Sequence, residues 1–297
     1  LKNDGARKWA LDVTEYWIKN FDIDGWRMDV AKELDFSFWK DFRDIAINAK
    51  KDVVLISEIF GDTSQWLQGD RFDGTMNYSF RETMVDYFAT KRIDNKEFAN
   101  SLSNLYSMYS FEALSACQNL LSSHDVRRFL NQCESNTDGI FGAVFLQATF
   151  PGIAGIYYGD EIGLGGGGDP FNREPFPWDS EDKWNKDLMN FTSELMNIKA
   201  NEPVLKYGNF QMVNFDDNYV IFRRKFENES FLCIVNRDKQ NVEISIETSA
   251  HNVESVYGKC ELEISSGTLK ISGLADNFGL IIKAVSYTHL TLPTKQD

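Results

Sequence analysis

Histidine and cysteine are scarce in this sequence, with three histidines and four cysteines in 297 residues. The cysteines form no C-x-x-C pair, and zinc sites combine four such ligands at close spacing. We therefore expect no metal site and no bound cofactor. Widely spaced thiols are typical of a reducing compartment, which predicts a cytoplasmic protein, with two disulfides as the alternative.

Positively charged residues are also few: the sequence has 31 Lys and Arg against 45 Asp and Glu, which gives a net charge of −14. Nucleic-acid binding requires clustered cations on one surface, and no basic run is present. No apolar run approaches the roughly 20 residues of a membrane span. The sequence thus predicts neither a nucleic-acid partner nor a membrane, whereas a neutral ligand such as a sugar remains compatible with the acidic surface.

The first two thirds of the chain alternate between helical and strand-like patterns. Apolar residues recur at helical spacing over residues 5–20 and 34–49. Five short runs have the composition of parallel strands: "IDGWRMDVA", "DVVLISEIF", "FDGTMNY", "ALSACQNLLSSHD" and "PGIAGIYYGDEIG". Helices and strands in such alternation predict a parallel sheet with covering helices.

The pattern changes after Pro203, where short runs with period-two character are separated by turn residues. We predict an α/β domain over residues 1–203 and an all-β sandwich over 204–285. Residues 286–297, "SYTHLTLPTKQD", share neither the strand pattern nor the turn residues of the preceding segment. We interpret them as a non-native tail.

Acidic residues stand at the ends of three predicted strands. Arg27 and Asp29 are two positions apart and therefore point to the same face of a strand, where the guanidinium favours an ionised carboxylate. Glu58 ends the next strand 29 residues later, and Asp125 follows His124 at the end of a third. Taken alone, Arg27 and Asp29 have a structural ion pair as the alternative, and His124 with Asp125 a helix N-cap. Like charges clustered at one rim favour a functional site.

Three of these segments, "DGWRMDVAKE", "ISEIFGD" and "NLLSSHDVRRF", resemble signature regions of the α-amylase family of retaining glycoside hydrolases. The resemblance is greatest to the cyclomaltodextrinase, neopullulanase and maltogenic amylase group, and it covers roughly residues 1–200. It implies an α/β fold of (β/α)₈ barrel type. This chain would supply about strands four to eight of a partial barrel, followed by the β-sandwich.

The resemblance also implies a role for each carboxylate. Asp29 corresponds to the nucleophile, Glu58 to the general acid/base and Asp125 to the carboxylate that binds sugar hydroxyls. Retaining hydrolysis uses two carboxyl groups in this way, one to attack the anomeric carbon and one to protonate the leaving oxygen. Arg27 would keep Asp29 charged, and His124 would donate hydrogen bonds to the sugar.

Further contacts are predicted with open alternatives. Phe60 and Trp66 are candidates for stacking on glucose rings, with core packing as the alternative. Asp169 and Arg173 in "DPFNR" resemble substrate-binding residues of the family, with a surface ion pair as the alternative. The run "GGGG" at 165–168 lacks the Gly-Lys-Ser/Thr of a phosphate loop, so we interpret it as loop punctuation.

The sequence departs from the family pattern in one respect. The Asn-His motif near the third barrel strand has no counterpart, because the chain begins just before the region that resembles the fourth strand. We expect a longer parent that hydrolyses α-1,4-glucosidic bonds in cyclodextrins, maltooligosaccharides or pullulan. The alternative is a catalytically silent fragment or relative that only binds α-glucan. The resemblance leaves a homodimeric parent open.

Overall fold

The computed structural model describes residues 2–134, 136–275 and 277–285. The predicted non-native tail at 286–297 lies outside the described residues. Within them the chain folds into an α/β part followed by an all-β part. This matches the predicted order of the two classes of structure.

The α/β part contains a parallel sheet at the five predicted strand positions. Its strands are β1 Gly25–Met28, β2 Val54–Ser57, β3 Gly74–Thr75, β4 Gln118–Leu120 and β5 Ile153–Gly155. β1, β2 and β3 pair in chain order, β4 pairs with β5, and a bridge between Met76 and Gln118 joins the two groups. Among the described residues this sheet is open and does not close into a barrel.

Helices connect and cover these strands. They are α1 Asp4–Phe21, α2 Phe36–Ala49, α3 Tyr78–Met84, α4 Asn95–Ser107, α5 Phe111–Ala116, α6 Phe129–Gln132, α7 Gly139–Thr149, α8 Lys186–Asn201 and α9 Pro203–Tyr207. A single π-helical turn, Val85–Ala89, continues α3. Side-chain caps set several of the starts: Asp35 accepts a hydrogen bond from the amide of Phe38, and Asp94 and Glu97 form a capping box.

The helical spacing at 5–20 predicts α1 correctly but not the environment of its aromatic residues. Trp9, Tyr16 and Phe21 are 69%, 53% and 56% exposed, and the buried residues of α1 are Thr14 and Ile18. An apolar stripe predicts a helix face that favours burial, but it does not specify which element covers that face.

The all-β part consists of two antiparallel sheets. Its strands are β6 Asn209–Phe215, β7 Val220–Phe226, β8 Glu229–Val235, β9 Ile244–Glu247, β10 Asn252–Tyr257, β11 Glu261–Ser265, β12 Thr268–Ser272 and β13 Gly279–Val285. One sheet has the order β10-β13-β8-β7-β6 and the other β11-β12-β9. Ile221, Ile234, Ile244 and Ile271 belong to the core between them. The proposed boundary at 203/204 falls within α9.

The central strands β7 and β8 of the larger sheet are buried on both faces, because the second face of this sheet packs on the α/β part. Phe222, Phe231 and Cys233 belong to the same core cluster as Phe145 and Phe150 of the α/β part. The two parts therefore share one continuous apolar core.

Two buried basic side chains lie at this junction. The fully buried guanidinium of Arg224 donates to the carbonyls of Thr149, Leu205, Gly208 and Asn209. Nζ of Lys199 donates to Ala148 and Phe150 at 3.1 and 3.2 Å. Together they bind three successive carbonyls at the C-terminal end of α7, where the helix dipole favours cations.

None of the helices in the described residues is both long enough and apolar enough to cross a membrane.

Candidate active site

The register of the parallel sheet brings the first two predicted carboxylates together. Met28 at the end of β1 is paired with Ser57 at the end of β2. The next residues along each strand are Asp29 and Glu58, and the ladder extends to them because the amide of Glu58 donates to Met28 O at 2.9 Å. Asp29 and Glu58 are therefore neighbours at the carboxyl edge of the sheet, as the spacing of 29 residues predicts.

The two carboxylates have different environments. The side chain of Asp29 is 74% exposed, whereas Glu58 is only 5% exposed. Oε2 of Glu58 accepts a hydrogen bond from the amide of Val30 at 2.9 Å. Asp29 is thus open to a ligand. Glu58 is buried, and its carboxylate is held by the amide of Val30, the residue that follows Asp29.

Val30 adopts a backbone conformation that is unfavourable for a β-branched residue, with φ of 43° and ψ of 46°. Such a left-handed conformation costs on the order of 1–3 kcal/mol and is concentrated at functional sites. Here it follows Asp29 directly and redirects the chain, so that the amide of Ala31 donates to the carbonyl of Glu58 at 3.2 Å.

Arg27 lies between the first and third predicted carboxylates. Its Nη1 is 2.7 Å from Oδ1 of Asp29, and its Nη2 is 3.9 Å from Oδ2 of Asp125. The predicted Arg27–Asp29 pair is therefore present, and the guanidinium also links it to Asp125. Arg27 and Asp29 thus form an ion pair and also belong to the candidate site, so the two interpretations are compatible.

Asp125 reaches the site from a loop. β4 ends at Leu120, so the expectation that Asp125 directly ends a strand is wrong by several residues. A bridge between Ser123 and Val126 forms a tight turn, and Asp125 N donates to Oγ of Ser123 at 3.1 Å. The turn places Nε2 of His124 3.2 Å from Oδ2 of Asp125. The alternative of an N-cap is not what forms, because α6 begins after Arg128.

Asp169 and Arg173 approach this turn from the loop that follows β5. Nε of Arg173 is 3.2 Å from Oδ1 of Asp169 and donates to the carbonyl of His124 at 2.9 Å. Nη2 of Arg173 is also 3.8 Å from Oδ1 of Asp125. The ion pair given as the alternative therefore exists, and Arg173 also contacts the turn of the candidate site.

Tyr78 is a site residue that the sequence analysis missed. It follows β3, is 2% exposed and shares a hydrogen bond of 3.2 Å with Ser123. Burial, together with the nearby charges of Glu58 and Asp125, raises the pKa of Tyr78, so its hydroxyl stays protonated. Its position at the end of the predicted strand run "FDGTMNY" is the signal that could have identified it.

Phe60 and Trp66 have different environments. Phe60 is 50% exposed and stacks on Tyr78 with ring centroids 3.8 Å apart, which leaves an aromatic surface beside the carboxylates. Trp66 packs edge-on against Phe36 at 5.4 Å, next to the main core. Phe60 therefore lies at the candidate site, whereas Trp66 packs beside the core, which was the alternative for this residue.

The glycine run is closely packed at one position. A Cβ on Gly166 would lie 2.5 Å from the carbonyl oxygen of Phe171 and 3.2 Å from Cδ of Arg128. Arg128 is fully buried, lies over the rings of Tyr157 and Tyr158, and pairs with Asp160 at 3.1 Å. Burial raises the pKa of Asp160 to about 7, although Ser122 and Arg128 act in the opposite direction. This cluster supports the loop that carries Asp169 and Arg173.

Three acids and two cations thus meet at one edge of the sheet, beside an exposed aromatic ring. This combination suits a ligand with several hydroxyl groups and a flat apolar face, because carboxylates and guanidinium groups bind hydroxyls and aromatic rings stack on sugar rings. Within the part of the chain that the structure describes, no group of three His, Cys, Asp or Glu side chains is arranged to hold a metal ion.

Comparison with known proteins gives several similarities. The family model "Alpha amylase, catalytic domain" matches residues 1–202. The chain is 36% identical over 268 residues to a cyclomaltodextrinase of Thermoanaerobacter pseudethanolicus, which covers 90% of this chain and 46% of that protein. It is 33% identical over 287 residues to a maltogenic α-amylase of Bacillus acidopullulyticus, covering 94% and 48%. The chain therefore spans about half the length of these relatives.

Solved structures show the same relationship. A debranching enzyme from Nostoc punctiforme superimposes with a TM-score of 0.86 at 29% identity, over 94% of this chain and 62% of that one. A cyclomaltodextrinase structure gives a TM-score of 0.85 at 30% identity, over 95% and 49%. These neighbours are (β/α)₈ barrel glycoside hydrolases. Taken with the family match over the whole α/β part, the similarities establish that this chain belongs to the α-amylase family of glycoside hydrolases.

Proposed function

We propose that a protein containing this chain hydrolyses α-1,4-glucosidic bonds in cyclodextrins, maltooligosaccharides or pullulan, with retention of the anomeric configuration. The observation that carries the proposal is the pairing of Asp29 and Glu58 at adjacent strand ends, one exposed and one buried. Relatives named cyclomaltodextrinase, maltogenic α-amylase and neopullulanase support the choice of substrates.

In this proposal the carboxylates have different tasks. Asp29, paired with Arg27, attacks the anomeric carbon, and Glu58 first protonates the leaving oxygen and then deprotonates the incoming water. Asp125 and His124 hold hydroxyl groups of the attacked sugar, and Phe60 stacks on a neighbouring ring. Asp169 and Arg173 bind the glucan further along the chain.

The division of the chain belongs to the same proposal. Residues 1–203 would form the C-terminal part of the catalytic barrel, about strands four to eight, and residues 204–285 the sandwich. The open edge of β1 and the coverage of about half of each relative support this division.

Product stereochemistry provides the test. Maltotriose or β-cyclodextrin is incubated with the chain combined with the N-terminal half of a cyclomaltodextrinase, and the first product is observed by proton NMR. The α-anomer is expected first, and Asp29→Asn and Glu58→Gln should each lower the rate by several orders of magnitude. Initial release of the β-anomer would exclude the roles given to Asp29 and Glu58.

A second candidate function is binding of α-glucan without catalysis. It is favoured by one observation, the open sheet, because a site on an open sheet lacks the walls that exclude water. Calorimetry with maltoheptaose distinguishes the two. Binding without turnover, in both the isolated chain and the combined protein, would favour the binding function.

A further inference from the structure

Asn172 is a fully buried residue in the 3₁₀ turn Phe171–Arg173, which follows the loop carrying Asp169. Its side-chain amide donates to three backbone carbonyls: Ser123 at 3.3 Å, His124 at 2.8 Å and Val126 at 2.9 Å. All three carbonyls belong to the turn that carries His124 and Asp125. A single side chain thus binds this turn over its whole length.

Other side chains also hold the turn: Arg81 donates to the carbonyls of Leu121 and Arg127 at 2.9 and 3.1 Å, and Nε of Arg173 donates to that of His124 at 2.9 Å. β4 ends at Leu120, and beyond it the local contacts of the turn include the Ser123–Val126 bridge and the hydrogen bond from Asp125 N to Oγ of Ser123. The amide of Asn172 comes from 46 to 49 residues further along the chain. The position of His124 and Asp125 therefore depends on long-range contacts, of which Asn172 supplies three hydrogen bonds to backbone carbonyls.

Asn172 and its neighbour Arg173 act on the turn in different ways. The side chain of Arg173 is 46% exposed and lies 3.8 Å from the carboxylate of Asp125, so it can also contact a ligand. Asn172 is enclosed, with its own carbonyl accepting from the hydroxyl of Tyr157 at 3.3 Å and Gly166 packed closely on its Cα. It cannot reach a ligand and can act only through the backbone of the turn.

We propose that Asn172 is a positioning residue that sets the places of His124 and Asp125 through their backbone carbonyls. The functional meaning of this role rests on the proposed function, in which both residues hold the sugar. The positioning itself is a statement about the protein alone. It requires the hydrogen-bond donors of the amide, which leucine, of similar size, lacks.

The test compares Asn172→Leu with a matched control, Asn236→Leu. Asn236 is also fully buried, and its amide donates to the carbonyls of Gln240 and Leu274 at 3.0 and 3.2 Å, but it lies in the sandwich. Both variants lose a comparable set of buried hydrogen bonds. A general loss of stability would therefore appear in both, whereas displacement of the turn is expected only in Asn172→Leu.

Two measurements on the full chain report on the turn. Hydrogen exchange can be followed by mass spectrometry. Peptides covering residues 121–127 should exchange at least about tenfold faster in Asn172→Leu, because the lost hydrogen bonds together change the opening equilibrium of the turn by more than about a factor of ten. The sequence has only three histidines, so the imidazole resonances can be assigned by substitution. The His124 resonance should move while that of His251 does not.

In Asn236→Leu the His124 resonance and the exchange of residues 121–127 should stay as in the parent chain. If Asn172→Leu does not fold, Asn172→Ser removes the same contacts with a smaller side chain and takes its place. An unchanged His124 resonance with unchanged exchange of the turn in a folded variant would overturn the proposal. Neither readout requires turnover, so this result is independent of the anomer and rate measurements that test the proposed function.

Discussion

The amide nitrogen of Val30 lies 2.9 Å from Oε2 of Glu58, so the residue directly after Asp29 fixes the position of the second carboxylate. The backbone of Val30 itself is left-handed. The two acids of the proposed reaction are therefore coupled through one strained residue as well as through the pairing of their strands.

The strain at Val30 can be measured. Val30→Gly should have a free energy of unfolding about 1 kcal/mol higher than Val30→Ala, because glycine adopts φ of 43° without the steric cost that a Cβ brings. Val30 is 41% exposed, so little burial is lost in either variant. Urea unfolding measures the difference. Equal or lower stability of Val30→Gly would show that the backbone is relaxed at this position.

The buried lysine predicts a pH dependence of stability. Burial, and secondarily the charge of Arg224, lower the pKa of Lys199 to about 7 from 10.5. Between these values the unfolded chain binds a proton that the folded chain does not, so this residue makes stability rise as the pH increases from about 7 to 10.5. Below pH 7 the cost of burying the charge is fully present.

Lys199→Met should remove this part of the pH dependence, as measured by urea unfolding at pH 7, 8, 9 and 10. The free energy of unfolding of Lys199→Met minus that of the parent chain should be largest at pH 7 and should become smaller towards pH 10. Lys206→Met is the control, since Lys206 is exposed and also donates to a carbonyl, that of Ala200 at 2.8 Å. The same change in slope for both variants would contradict the assignment to Lys199.

Arg224 predicts a large effect at the junction of the two parts. Arg224→Met leaves the carbonyls of Thr149, Leu205 and Gly208 without this donor in a buried environment, which should cost at least about 3 kcal/mol. Arg223→Met, one residue earlier on the opposite face of β7, should change stability by less than about 1 kcal/mol. Urea unfolding of both variants tests this. Similar losses would show that the hydrogen bonds of Arg224 are not the cause.

The aromatic face of α1 predicts self-association of the chain. Trp9 and Phe21 are exposed by more than half, and contiguous apolar surface of this kind promotes association. The double variant Trp9→Lys with Phe21→Lys should shift the chain towards monomer in light-scattering measurements over a range of concentrations. Phe171→Lys removes a similarly exposed ring elsewhere and should have no such effect. A monomeric parent chain would refute this prediction.

The parts of the site that sequence predicts are those set by strand periodicity. Asp29 and Glu58 lie side by side because each directly follows the last residue of one of two paired parallel strands. Their spacing of about one strand and one helix in the sequence predicts this. Tyr78 was missed because it lies three residues beyond β3, at the first position of α3, where strand periodicity no longer applies. Asn172 was missed because its acceptors are backbone carbonyls of a distant turn, which no residue type identifies.

The same distinction holds for the fold. Apolar runs located all five parallel strands and most strands of the sandwich, since burial imposes their composition. They did not predict that β7 and β8 are buried on both faces, because this depends on a partner remote in sequence. In the same way, the spacing of aromatics in α1 predicted the helix but not its exposure.

The contact between Gly279 and Phe145 limits how this protein can change by recombination. A Cβ on Gly279 would lie 2.6 Å from the ring of Phe145, so the first residue of β13 is matched in shape to a helix of the α/β part. A crossover that exchanged the sandwich for that of a distant relative would have to import a glycine at this point or a smaller residue in the helix. The two parts are therefore expected to be inherited together.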